Sequence, residues 1–136
     1  MKPLPQAITP QVAIEQCSGK AGSRSDLWII VWTVQNLSSQ ALQLFRARLP
    51  HSLFYCAEQE LNPPCTLEPG ESDRLEFFVT CREPPGTVIE NAFLILRAEW
   101  LQRSWWIFTQ LRVIMEDRGP RTITETVTIY PVGFSH

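Results

Sequence analysis

Histidine is the side chain that most often performs acid–base catalysis near neutral pH, and this 136-residue chain has two, His51 and His136. His136 is the last residue, so a His-based catalytic arrangement has essentially one candidate. The sequence contains neither a G-x-S-x-G nucleophile elbow nor a G-x-x-x-x-G-K-[ST] phosphate loop. We therefore expect that the protein is not an enzyme, that it has no catalytic residue, and that it needs no cofactor.

The candidate metal ligands are His51, Cys56, Cys65 and Cys81, a set of side chains that zinc accepts. No two of the cysteines have the C-x2–4-C spacing that identifies a zinc site in sequence. Free cysteine is also among the residues most often buried as a small apolar side chain. The sequence therefore predicts no metal site.

Five tryptophans are the candidate binding residues: Trp28, Trp32, Trp100, Trp105 and Trp106. The last three flank one predicted hairpin turn, where aromatic rings could stack on a sugar or receive a peptide. Adjacent strand residues point to opposite faces, so we expect one of Trp105 and Trp106 in the core and the other at the surface. Trp28 and Trp32 share a face of another predicted strand, and the choice between core and ligand is open for them as well.

Composition limits the classes of partner. The chain has 12 Lys plus Arg against 14 Asp plus Glu, a net charge of −2, which argues against nucleic acid as a partner. Charged residues make up 19% of the chain, below the roughly 25% that is usual, so we expect some apolar surface to be left for a partner. The apolar stretches Leu27–Trp32 and Ala92–Leu96 are shorter than the ~20 residues that span a bilayer, which predicts no membrane insertion.

The N-terminal segment Met1–Ile14 contains three prolines and lacks the continuous apolar stretch of a secretory signal. This absence predicts a cytoplasmic protein. In that compartment glutathione and thioredoxin keep ordinary cysteines reduced, so all four cysteines should be thiols.

Short runs of Val, Ile, Thr and aromatic residues alternate with Pro, Gly, Asn and Ser clusters, a pattern typical of strands and turns. No stretch of ten or more residues has the apolar spacing of a buried helix. The predicted strands are Gln11–Cys17, Leu27–Gln35, Leu42–Leu49, Leu53–Cys56, Arg74–Cys81, Val88–Trp100, Ser104–Met115 and Thr122–Val132. Between them we expect a mobile loop at Ser18–Ser25, a break at Pro63-Pro64 and a turn centred on Pro69-Gly70. The pattern predicts an all-β, two-layer antiparallel β-sandwich of seven to eight strands.

Two features of this pattern predict self-association. The strand Leu27–Gln35 is apolar on both faces, so it is central in its sheet or meets something besides its own core. The strand Thr122–Val132, with Ile123, Val127 and Ile129 expected on one face, follows a break at Gly119-Pro120 and comes after the hairpin is complete. Such an extra strand must pair with an edge, in its own chain or in a partner's, and we expect a symmetric homodimer.

The order of segments gives a family resemblance. A strand ends in Trp32–Asn36, a leucine-containing strand begins at Leu42–Leu44, an L-x-P-G-E turn lies in Leu67–Ser72, a strand follows at Arg74–Val79, and a P-x-G turn opens a hairpin at Pro84–Leu96. This order resembles the bacterial immunoglobulin-like or fibronectin-like domains of the CARDB-related type. The resemblance covers residues 11–115 and implies a binding or spacer role without catalytic residues. It suggests one domain, 1–136, in which 11–115 form an immunoglobulin-like sandwich and 121–132 add a C-terminal strand.

Two functions follow from these observations. We predict a non-catalytic immunoglobulin-like protein-interaction module that binds itself, another protein, or both. The alternative is a carbohydrate-binding module in which Trp100 with Trp105 or Trp106 forms a stacking platform. The sugar hypothesis needs exposed, coplanar rings with acidic groups nearby, and Glu99 is the only acid close in sequence. The solvent exposure of the tryptophan rings distinguishes these two functions.

Overall fold

A computed structural model describes residues 9–133, so His136 and Met1–Ile8 lie outside the described part of the chain. This part forms eight β-strands: β1 (Val12–Ala21), β2 (Leu27–Asn36), β3 (Leu42–His51), β4 (Phe54–Leu67), β5 (Ser72–Thr80), β6 (Val88–Trp100), β7 (Arg103–Glu116) and β8 (Gly119–Pro131). It contains no helix, and therefore none that could cross a membrane. The all-β prediction is confirmed.

All strand pairs are antiparallel, in the order β1-β2-β5-β4-β3-β6-β7-β8. The two end strands, β1 and β8, lie against each other, so the eight strands form one nearly closed sheet. The interior is filled by alternate residues of each strand. On β2, for example, Ile30, Trp32 and Val34 are fully buried. The ring of Trp32 packs edge-on against Phe54 of β4 at 6.4 Å and tilts against Phe77 of β5 at 5.7 Å.

The junction between β1 and β8 is made by side chains. Gln16 Oε1 accepts a hydrogen bond from the backbone N–H of Thr122 at 2.6 Å, and its Nε2 donates to the carbonyl of Pro120 at 3.2 Å. Thr124 Oγ1 donates to the carbonyl of Ile14 at 2.7 Å. The side chain of Gln16 thus satisfies two backbone groups of β8. Its hydrogen bonds replace backbone-to-backbone pairing at this point of the junction.

The junction between β4 and β5 is also weak, with Tyr55 and Thr80 as its one paired position. Elsewhere in the sheet the ladders are long. β7 and β8, for instance, remain paired from Glu116 with Gly119 to Trp105 with Pro131.

Two predicted turns are present in the structure. Pro69-Gly70 lies between β4 and β5, Gly70 has φ of 84°, and the N–H of Glu71 donates to the carbonyl of Glu68 at 2.9 Å. The β6–β7 hairpin turns at Leu101-Gln102, where both residues have positive φ, 50° and 62°. That geometry is the type I′ turn, which suits the right-handed twist of paired strands but strains residues other than glycine, asparagine and aspartate.

The predicted loop at Ser18–Ser25 is wrong in its first half. β1 continues to Ala21, which is paired with Trp28 of β2. The register shifts between Gln16 and Ser18, which marks a β-bulge. Small polar residues extend the strand because the long, regular β2 supplies a complete set of backbone partners beside them.

The predicted break at Pro63-Pro64 is also wrong, because β4 runs through it as one strand. β3 is paired at Leu44 with Cys65 and at Arg46 with Glu60, so residues 61–64 bulge out of the ladder. Proline has no N–H to donate, and it is tolerated here because the bulged residues have no ladder position to fill.

The C-terminal strand differs from its prediction in two ways. β8 starts at Gly119 and makes a tight hairpin with β7 of its own chain, so Gly119-Pro120 is not a break. Ile123 is 39% exposed, whereas Val127 and Ile129 pack against the core. Thr124 pairs with Leu111 and Thr126 with Gln110, so Glu125 is an extra, bulged residue that reverses the alternation.

Candidate functional site: an outer aromatic face

The five candidate tryptophans separate into two groups. Trp32, Trp100 and Trp105 are 0%, 6% and 3% exposed, whereas Trp28 and Trp106 are only partly buried. Trp105 and Trp106 therefore lie on opposite faces of β7, as their adjacency requires. Trp32 packs in the core and offers no surface to a ligand in this structure.

Trp100 and Trp105 form a buried pair at the end of the β6–β7 hairpin. Their rings pack edge to face at 6.3 Å, and Trp105 Nε1 donates to the carbonyl of Trp100 at 3.3 Å. Trp100 Nε1 donates to the carbonyl of Gln40, also at 3.3 Å. Both indole N–H groups are satisfied inside the protein. The sugar platform predicted on Trp100 is therefore not present as an exposed ring.

Trp106 belongs to a different group, which we call the outer aromatic face: Phe93 of β6, Trp106 and Phe108 of β7, and Tyr130 of β8. Phe108 lies at its centre, with ring centroids 6.5 Å from Phe93, 6.5 Å from Trp106 and 5.5 Å from Tyr130. Tyr130 is 52% exposed. Four rings thus lie together on the outer side of strands whose other side completes the core, and three of them, Phe93, Trp106 and Phe108, are partly buried.

An arginine extends this face toward β3. Arg97 is directly paired with Trp106 across β6 and β7, and its guanidinium lies 5.2 Å from the centre of the indole ring. No carboxylate among residues 9–133 forms an ion pair with Arg97. The stack on the ring restricts the guanidinium.

The other end of the face is polar. Arg112 makes two hydrogen bonds to the carboxylate of Glu90, at 2.6 and 3.0 Å. These bonds lower the pKa of Glu90 and raise that of Arg112. Beside them, Gln110 Nε2 donates to Asn91 Oδ1 at 2.9 Å. An apolar centre with a hydrogen-bonded polar rim matches the anatomy of protein–protein interfaces.

Sequence reasoning found Trp106 but not its three neighbours. Trp106 and Phe108 are two residues apart on one strand, a spacing that places both on the same face. Phe93 and Tyr130 join them only through the register of β6 and β8, which a single strand does not encode. Trp28 lies elsewhere, in the wall of a cavity of about 630 Å³ near the opposite end of β7.

The cysteines and His51 do not assemble. All four cysteines are free, and no group of three or more metal-ligating side chains occurs among residues 9–133. His51 Nδ1 accepts a hydrogen bond from the N–H of Leu53 at 3.0 Å. Burial, together with the carboxylate of Asp73 at 3.6 Å, raises the pKa of Cys65 to about 11, so this thiol stays protonated at neutral pH.

Comparison of the chain with protein-family models finds no matching family, and comparison with curated proteins finds no relative.

Proposed function

We propose that the protein is a non-catalytic, immunoglobulin-like interaction module that binds a second copy of itself through the outer aromatic face. The observation that carries the proposal is the cluster of four rings, Phe93, Trp106, Phe108 and Tyr130, on the outer side of β6–β8. Aromatic residues are enriched at the energetic centres of interfaces.

The two-layer, immunoglobulin-like part of the proposal is supported by the two weak junctions. The β4–β5 junction has one paired position, and β1 meets β8 through side-chain hydrogen bonds. Dividing the sheet there leaves a layer β1-β2-β5 and a layer β4-β3-β6-β7-β8. In this arrangement β8 is an addition beyond β7, and the outer aromatic face is the outside of the larger layer.

The choice of a second copy as occupant is supported by size and chemistry. Strands lie ~4.8 Å apart and rise ~3.3 Å per residue, so ten-residue lengths of the three strands of the face, together with the neighbouring β3, present roughly 20 by 30 Å. That is roughly 600 Å², about three-quarters of the ~800 Å² that each partner buries in a standard interface. The face is also self-complementary, because a two-fold axis through it would bring the same apolar rings of both copies together.

The test is the oligomeric state of the full chain at tens of micromolar, measured by sedimentation equilibrium. We expect a dimer that Phe108→Ser converts to monomer. The matched control is Phe78→Ser, because Phe78 is a 55% exposed phenylalanine on β5, outside this face, and its removal should leave the dimer intact. Thermal unfolding of both variants verifies that each is folded.

A wild-type monomer under these conditions would overturn the proposal. So would a dimer that Phe78→Ser disrupts and Phe108→Ser does not.

Carbohydrate binding is the second candidate because Trp106 and Tyr130 are directly paired and both face outward. Titration of the Phe108→Ser monomer with cellohexaose, followed by tryptophan fluorescence, tests it. Saturable quenching that Trp106→Ala abolishes would favour the sugar function over self-association.

A further inference from the structure

A cavity of about 430 Å³ opens beside the outer aromatic face, on the β3–β4 side of Arg97. We call it the double-bulge cavity, and it is lined by Phe45, Arg46, Glu60, Leu61, Asn62, Pro64, Arg97 and Ser104. Phe45 is skipped in the pairing of β3 with both of its neighbours, and residues 61–64 of β4 are skipped opposite it. Two bulges in adjacent strands therefore form this cavity, and bulges commonly redirect side chains at functional sites.

The charges of the cavity are unequal. Arg46 is paired with two carboxylates, Glu60 at 3.5 Å and Glu58 at 3.9 Å. Arg97 has no such partner among residues 9–133, and its guanidinium is partly buried against Trp106. Two guanidinium groups and two carboxylates therefore lie at or beside the cavity, and both carboxylates are on Arg46, so Arg97 is the guanidinium without a carboxylate partner among residues 9–133.

The other lining residues are three apolar and two polar side chains. Phe45, Leu61 and Pro64 contribute hydrocarbon surface, and Asn62 and Ser104 contribute hydrogen-bonding groups. The volume lies in the ~300–1,000 Å³ range of small-molecule sites. A guanidinium held on an aromatic ring is suited to bidentate binding of a planar anion.

We propose that the double-bulge cavity binds a monocarboxylate with an apolar body, the carboxylate on Arg97 and the body against Phe45, Leu61 and Pro64. A single carboxylate matches the one guanidinium that has no ion-pair partner, whereas a phosphate dianion would bring a second negative charge without a partner. The carboxylate belongs either to a free organic acid or to the C-terminus of a peptide. This site goes beyond the proposed self-association, because none of the four rings of the outer aromatic face lines the cavity.

The test is calorimetric titration of the full chain with 3-phenylpropionate and, in parallel, with its neutral isostere 3-phenylpropionamide. We expect the acid to bind saturably and the amide to bind at least about tenfold more weakly, because a charge-assisted hydrogen bond is lost. A second arm uses an N-acetylated Leu-Phe dipeptide with a free carboxylate and the same dipeptide as its amide. Binding in the first arm alone identifies a free acid, and stronger binding in the second identifies a peptide C-terminus.

Arg97→Gln should weaken acid binding at least about tenfold, whereas Arg48→Gln should not. Arg48 is an exposed arginine on β3, the strand that neighbours the strand of Arg97, and it does not line the cavity. Far-ultraviolet circular dichroism verifies the fold of both variants. Absence of saturation by either carboxylate, equal binding of acid and amide, or unchanged binding in Arg97→Gln would overturn the proposal.

The same titration on Phe108→Ser separates the two proposals. We expect the carboxylate to bind this variant as it binds the wild-type chain, because Phe108 does not line the cavity. Loss of binding there, with the fold intact, would contradict the independence of the two sites.

Discussion

The inner and outer faces of the β6–β7 hairpin consist of alternate residues of the same two strands, and they differ in what surrounds each ring. Trp105, on the inner face, is 3% exposed and packs against Trp100 with its N–H satisfied. Trp106, the next residue, is only partly buried and lies between Phe108 and Arg97. The comparison separates two positions of one residue type: the inner ring packs in the core, and the outer ring lies partly exposed on the surface.

The largest expected effect is on the inner ring. Trp105→Ala should lower the free energy of unfolding by about 3–5 kcal/mol, because it leaves a cavity in the core. Trp106→Ala should cost clearly less, about 1–2 kcal/mol, because Trp106 is only partly buried and lies outside the core. Urea denaturation of both variants measures the difference. Equal losses of unfolding free energy in the two variants would mean that Trp106 stabilises the fold as much as Trp105 does, which would contradict the difference between the two faces.

A second comparison concerns two glutamines, one that bridges the β1–β8 junction and one that lies away from it. Gln16→Ala should destabilise the protein by about 1–3 kcal/mol, because the N–H of Thr122 and the carbonyl of Pro120 lose their partner at the β1–β8 junction. The control is Gln43→Ala. Gln43 makes one exposed side-chain bond, to Thr66, and its loss should be nearly neutral.

Hydrogen exchange under native conditions locates the effect of Gln16→Ala. We expect faster exchange along β1 and β8 and little change in β3. A uniform increase across all strands would show that the junction does not open separately from the rest of the sheet.

The turn that connects β6 to β7 can be made more stable. Leu101 has φ of 50° and a side chain 46% exposed to solvent, so it contributes strain and little packing. Leu101→Asn with Gln102→Gly should raise the stability by about 0.5–1 kcal/mol, since asparagine and glycine accept the type I′ conformation. Thermal denaturation checks the gain. A loss would indicate that the leucine side chain packs more than its exposure suggests.

The smallest effect concerns the polar rim of the outer face. Arg112 holds the pKa of Glu90 below its ordinary value of 4.5, so this pair stabilises the fold above that pH. The contribution is lost as the pH falls through the lowered pKa. Denaturation curves between pH 2 and pH 7 should therefore show the wild-type chain and Glu90→Gln converging at the acid end. A difference that persists at the lowest pH would assign the effect of Glu90 to packing.

Local sequence determined much of the strand layout. Proline and glycine at Pro69-Gly70 fix a turn because their backbone preferences act within four residues. The alternation of side chains likewise determined that Trp105 and Trp106 point to opposite faces, because the period of a strand is two wherever the strand lies.

Alternation did not determine which face is the inner one, and it failed at the bulges. One bulged residue, Glu125, places Ile123 on the opposite face from Val127. The bulge at Phe45 opens a cavity that no pattern in the sequence predicts. A bulge exists because of the register of a neighbouring strand, which depends on hydrogen bonds between residues distant in the chain.

The tertiary structure also decided the composition of the outer aromatic face. Phe93, Phe108 and Tyr130 come from three strands and meet only when β6, β7 and β8 pair in their observed registers. The sequence by itself determined the all-β character, the Pro69-Gly70 turn and the opposite orientations of neighbouring residues, because these follow from backbone geometry over a few residues. Which rings are buried, which meet one another and where the cavity opens were decided by pairing across the sheet, because packing and register are properties of several strands at once.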